Sequence, residues 1–130
     1  LTRLCDDGYE VSLETSGALA VDQVDRRVVK VLDFKTPGSG EASRNLFDNV
    51  SSLTRADQVK FVICDRADYE WARFKTDELG LVSRVSDVLF SPSHSQLDAA
   101  LLASWVLEDK LRVRVQIQLH KLLWGDVPGV

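Results

Sequence analysis

Hydrophobic and polar positions divide this chain into two kinds of stretch. "YEVSLET", "RVVKVLDFK", "DQVKFVIC", "DVLFSPS" and "RVRVQIQLH" read as five strands. Alternation is plainest in the first, third and last. Val11 and Leu13 oppose Glu10, Ser12 and Glu14. Val59, Phe61 and Ile63 oppose Gln58 and Lys60. Val113, Val115, Ile117 and Leu119 oppose Arg114, Gln116, Gln118 and His120.

Helical spacing fills the intervals. Leu1, Leu4 and Cys5 form a first helix that Gly8 stops. "EASRNLFDNV" predicts a short helix with Glu41 in its first turn. Asp65-Arg66-Ala67-Asp68 resembles a capping box. The helix it opens is expected to bury Trp71 and Phe74 and to end at Leu79, before Gly80. Ser95-Gln96-Leu97-Asp98 caps a longer helix whose apolar face is Leu97, Leu101, Leu102, Trp105 and Val106.

Strands separated by helices predict an α/β fold of parallel βαβ units, with residues 1–130 as one domain. Right-handed crossovers would set the helices on one side of a curved sheet, as in a partial (β/α) barrel. An open, doubly wound sheet is the alternative. Strands buried on both faces read as continuous apolar runs, and these do not. If the apolar faces meet the helices, Glu14, Lys60, Gln118 and His120 gather on the opposite face. Solvent over that face would produce the same alternation. Three strands doing so together, with acids and bases near their C-terminal ends, point to a polar pocket where such folds place ligands.

Composition narrows the function. The net charge is −4 with mixed signs and no basic block, which argues against nucleic acid. No apolar run has membrane-spanning length. Cys5 and Cys64 lie far apart, outside any short metal-type spacing, so reduced thiols in a cytoplasmic protein are expected. The chain has no methionine and opens inside a helix, so a preceding segment is expected to be missing. Taken singly, His120 and Lys35 read as a hydrogen-bonded histidine and a solvated lysine. Ser91-Pro92-Ser93-His94 reads as a loop, and the Thr36 to Gly40 turn as a plain turn that could also bring N–H groups to an anion.

In order and spacing, "GYEVSLETSGAL", "VVKVLDFKTPGSGE", "DQVKFVICDRADYEWA", "VLFSPS" and "QIQLHKLLWGD" resemble the C-terminal part of the 7-carboxy-7-deazaguanine synthases. These are radical S-adenosylmethionine (SAM) enzymes of queuosine and deazapurine biosynthesis. The resemblance implies the C-terminal portion of a radical SAM partial barrel, a homodimer when intact. It implies conversion of 6-carboxy-5,6,7,8-tetrahydropterin to 7-carboxy-7-deazaguanine with loss of ammonia, a carbon–nitrogen lyase reaction using SAM, a four-iron–four-sulfur cluster and Mg²⁺. Carried over by position, Asp33, Phe34, Lys35, Ser91, Pro92, Ser93 and His94 would meet SAM. Lys35 matches the family's Ser-Pro-Lys segment, whereas Asp33 and Phe34 replace its first two residues. Glu14, Gln118 and His120 would meet the pterin, and the tail from Trp124 past Pro128 would help close over it.

The three closely spaced cysteines that hold the family's cluster have no counterpart here. Neither has the Gly-Gly-Glu-Pro strand end nor the magnesium-binding threonine. The expectation is therefore a fragment with no catalytic or metal-binding residue of its own, inactive alone, whose first strand is left as a bare edge. Two other readings stand beside it. One is part of a glycyl-radical activating enzyme. The other is a non-catalytic nucleotide- or anion-binding module built on the Thr36 to Gly40 turn.

Overall fold

The computed structural model of the chain describes residues 2–8, 12–16, 21–22, 24–25, 27–39, 47–94 and 96–117. Five strands, β1 (Ser12–Ser16), β2 (Val29–Phe34), β3 (Gln58–Ile63), β4 (Asp87–Pro92) and β5 (Arg114–Val115), form one parallel sheet in sequential order. Helix α1 (Thr2–Asp6) precedes them, α2 (Arg66–Glu78) and α3 (Leu81–Arg84) connect β3 to β4, and α4 (Ala99–Glu108) connects β4 to β5. Short 3₁₀ turns cover Pro37–Ser39 and Phe47–Ser52.

This order has no reversal of winding, so crossovers of the usual hand lie on one face of the sheet. The doubly wound alternative requires such a reversal, and the five described strands show none. Packing agrees. Leu32, Phe34, Val59, Phe61, Ile63, Val88 and Phe90 form one core with Tyr69 and Ala72 of α2, Leu81 of α3, and Leu102 and Val106 of α4. By alternation, Val31, Asp33, Gln58 and Lys60 point away from that layer.

The helix ends follow from local chemistry. Asp65 caps α2, its Oδ1 accepting from the Asp68 N–H at 2.9 Å. Asp98 caps α4 through the Ala100 N–H. Gly80 takes φ +61° just past α2, a left-handed conformation that suits glycine. Gly8 does the same after α1 with φ +88°. The helix expected from Glu41 falls largely outside the described residues; its end is the 3₁₀ turn from Phe47.

Two expected core positions are corrected. Phe74 is 61% exposed and Leu101 is 45% exposed. The buried line of α2 is Tyr69, Ala72 and Thr76, spaced i, i+3, i+7. Phe74 lies two residues from Ala72, about 200° around the helix, and so faces outward.

Below the sheet, a charged pair lies within the protein. Lys30, 1% exposed, points into the helix layer with its Nζ 3.5 Å from Asp57 Oδ2 and 3.3 Å from the Val28 carbonyl. Asp57 also accepts from the N–H groups of Lys30 (2.8 Å) and Thr54 (2.7 Å), tying β2 to the approach of β3.

Candidate functional site

The face opposite the helices carries a chamber of about 210 Å³ lined by Glu14, Thr15, Val31, Asp33, Lys35 and Lys60. Strand register creates it. Glu14 lies beside Val31, and Asp33 lies beside Lys60, so residues of β1, β2 and β3 converge on one patch. Glu14 and Lys60, expected on this face from alternation, are both there. Thr15 and Val31 line the chamber without having been singled out. The signal for Val31 was its spacing two residues before Asp33.

Asp33 and Lys35 sit at the end of β2. Lys35 Nζ is 3.2 Å from Asp33 Oδ2, and both side chains are partly open to solvent. The other carboxylate oxygen of Asp33, Oδ1, is buried without a hydrogen-bond partner. Phe34, between them, turns the other way: it is fully buried and packs on Phe47 and Phe61. Only its backbone is available to a ligand at the strand end.

The end of β4 contributes a second polar segment. Ser91 is fully buried, and its Oγ has no partner. Pro92, Ser93 and His94 are half-buried. Ser93 N–H donates to the Ile63 carbonyl at 2.8 Å, and its hydroxyl donates to Gln96 Oε1 at 2.6 Å. Gln118 and His120 lie outside the described residues.

The turn after β2 is already occupied from within. The Gly38 N–H donates to Asp68 Oδ1 at 2.8 Å. Asp68 Oδ2 accepts from the Cys64 N–H at 3.0 Å and lies 2.9 Å from the Thr36 hydroxyl. An internal carboxylate thus takes one N–H of this turn, which is then not available to an external anion. Asp68, read from sequence as half of a capping box, spends its carboxylate here instead.

Charge and size define what the chamber suits. Two carboxylates and two ammonium groups around about 210 Å³ match a small, polar molecule carrying both donors and an anionic group. Among the described residues, no three His, Cys, Asp or Glu side chains come together to hold a metal ion. The Cys64 thiol is pushed above its ordinary range, first by burial and then by the neighbouring Asp68, which disfavours the thiolate a metal needs. A larger groove of about 340 Å³, including Arg73, Asp77, Lys110 and Arg112, lies at the end of α2 and does not join this wall. No described helix is long and apolar enough to cross a membrane.

Comparison with known proteins gives a consistent result. The chain is 45% identical over 136 residues to the 7-carboxy-7-deazaguanine synthase of Koribacter versatilis, covering 95% of this chain and 60% of that protein. It is 41% identical over 134 residues to the synthase of Chlorobaculum tepidum, covering 100% of this chain and 60% of that protein. Against the synthase of Leptospira interrogans the identity is 34% over 123 residues, covering 91% of this chain and 50% of that protein. The chain therefore spans between half and three-fifths of the length of these curated relatives. No family model and no solved structure matches it. Over nearly all of its own length, the chain is a relative of the 7-carboxy-7-deazaguanine synthases.

Proposed function

We propose that this chain is the C-terminal part of a radical SAM 7-carboxy-7-deazaguanine synthase and supplies one wall of its active site. The intact enzyme, a cytoplasmic homodimer in this reading, converts 6-carboxy-5,6,7,8-tetrahydropterin to 7-carboxy-7-deazaguanine with loss of ammonia. The observation that carries it is the convergence of Glu14, Asp33, Lys35 and Lys60 on the sheet face turned away from the helices. In a partial barrel that face is the interior, and the C-terminal strand ends form its mouth.

The residues fit the two small molecules but not the cluster. Asp33 Oδ1 and Ser91 Oγ are buried and lack partners, as suits a ligand rich in N–H and O–H groups such as SAM. When bound, SAM supplies the radical that starts the reaction. Glu14 accepts a donor from the pterin and fixes its orientation, while Lys35 holds an anionic group at the rim. Gln118 and His120 complete the substrate contacts. The cluster does not fit: the two cysteines, Cys5 on α1 and Cys64 after β3, are far apart in the chain, and Cys64 is disfavoured as a thiolate. In this reading its ligands, like those of Mg²⁺, belong to the remainder of the enzyme.

The test is product formation by the intact enzyme given the pterin and SAM. 7-Carboxy-7-deazaguanine is expected, with Glu14→Gln reducing its rate by about a hundredfold through lost orientation. Absence of the product, or wild-type turnover in Glu14→Gln, contradicts the reading.

A further inference from the structure

The chain treats its two strand lysines differently. Lys30, facing the helix layer, has a carboxylate at 3.5 Å and a backbone carbonyl at 3.3 Å. The side chain of Lys60, on the other face of the neighbouring strand β3, makes no hydrogen bond or ion pair with the described residues, although the residue is half-buried. It stands in the middle strand of five, with Asp33 beside it on β2 and Leu89 beside it on β4.

Asp33 is the obvious counter-ion, yet it serves another group. Its Oδ2 is 3.2 Å from Lys35, and its Oδ1 remains buried without a partner. Lys60, whose ammonium has no partner among the described residues, and Asp33, which holds one buried oxygen without a donor, thus line the same chamber from adjacent register positions. Partly desolvated groups of this sort are costly unless something pairs with them. A single molecule relieves both if it carries a carboxylate next to an N–H or O–H donor.

We propose that Lys60 is a carboxylate anchor of this site, its ammonium donating to the carboxylate of the bound small molecule while Asp33 Oδ1 accepts an adjacent donor of that molecule. The inference rests on the proposed function, which offers two sources of that chemistry: the carboxylate of the pterin and the α-carboxylate of SAM. Lys60 acts by holding the ligand, so it is a positioning residue for whatever reaction follows.

The experiment measures binding of 6-carboxytetrahydropterin, of tetrahydropterin lacking the carboxylate, and of SAM to the intact enzyme and to its Lys60→Gln and Lys60→Arg variants. Melting curves of each variant establish folding. Loss of one charge-assisted hydrogen bond predicts that Lys60→Gln weakens one carboxylate ligand about ten- to a hundredfold, with partial recovery in Lys60→Arg. If the pterin is the source, the carboxylate-free analogue binds wild type and Lys60→Gln equally. If SAM is the source, SAM affinity falls and both pterins are unaffected. Unchanged affinity for all ligands in a folded Lys60→Gln overturns the anchor and leaves the functional reading standing. A wild-type enzyme that binds neither pterin nor SAM removes both.

Discussion

Gly38 and Asp68 are packed against each other so closely that a β-carbon on Gly38 would lie 2.5 Å from Asp68 Oδ2. The carboxylate cannot simply swing aside. It is 1% exposed and held by the N–H groups of Gly38 and Cys64 and by the Thr36 hydroxyl. This contact fixes the turn after β2 to the start of α2, and so fixes the strand end that carries Asp33 and Lys35.

Gly38→Ala is therefore expected to destabilise the intact protein by about 1–3 kcal/mol, the usual range for overpacking. Asp68→Ala strands buried donors and should cost roughly 3 kcal/mol. The double variant should cost less than the sum, because the clash disappears with the carboxylate. Urea midpoints of the three variants check this; strict additivity would show that the contact is not strained.

The Lys30–Asp57 pair lies on the helix side and takes no part in the chamber. Asp57→Ala leaves a buried ammonium and two backbone N–H groups without their carboxylate. A loss of about 3–5 kcal/mol is expected. Lys30→Met removes the charge but keeps the stem and should cost clearly less. Equal costs in urea unfolding would mean that the charge pair is not the source of the loss.

Tyr69 gives the fold a pH dependence. Burial, then the hydrogen bond to the Asp109 carboxylate, raises its phenol well above the usual value of 10.0. The folded state keeps its proton where the unfolded chain releases it. Stability from this group is present below about pH 10 and declines as pH rises above it. Urea unfolding at pH 8 and pH 10.5 should show a larger alkaline loss in wild type than in Tyr69→Phe. An equal loss in both would clear Tyr69 of the effect.

Much of this was legible in the sequence, and the reason is periodicity. Four strands stand where the sequence pattern placed them, whereas the fifth, expected over residues 112–120, is a strand only at Arg114–Val115 among the described residues, with Ile117 exposed. Glu14 and Lys60 share a face because side chains repeat every two residues. The cap at Asp65 followed from a side chain that bonds to a nearby N–H group, whereas Asp98, read as the last residue of a Ser95–Asp98 cap, is itself the N-cap, so the helix begins at Ala99 and leaves Leu97 before it. What stayed hidden depends on contacts distant in sequence. Asp68 reaches across to Gly38, 30 residues away, and Lys30 finds Asp57, 27 residues away. No local pattern announces either. Phe74 misled because an aromatic three residues after Trp71 looks inward, whereas the inward line of α2 runs through Tyr69, Ala72 and Thr76.

The central claim is that ligands occupy the sheet face turned away from the helices. A crystal structure of the intact enzyme with 6-carboxytetrahydropterin and SAM tests it most directly. Ligand density against Glu14, Asp33, Lys35 and Lys60 is the expected result. Density in the helix-side groove lined by Arg73, Lys110 and Arg112, with the Glu14 face empty, would contradict it.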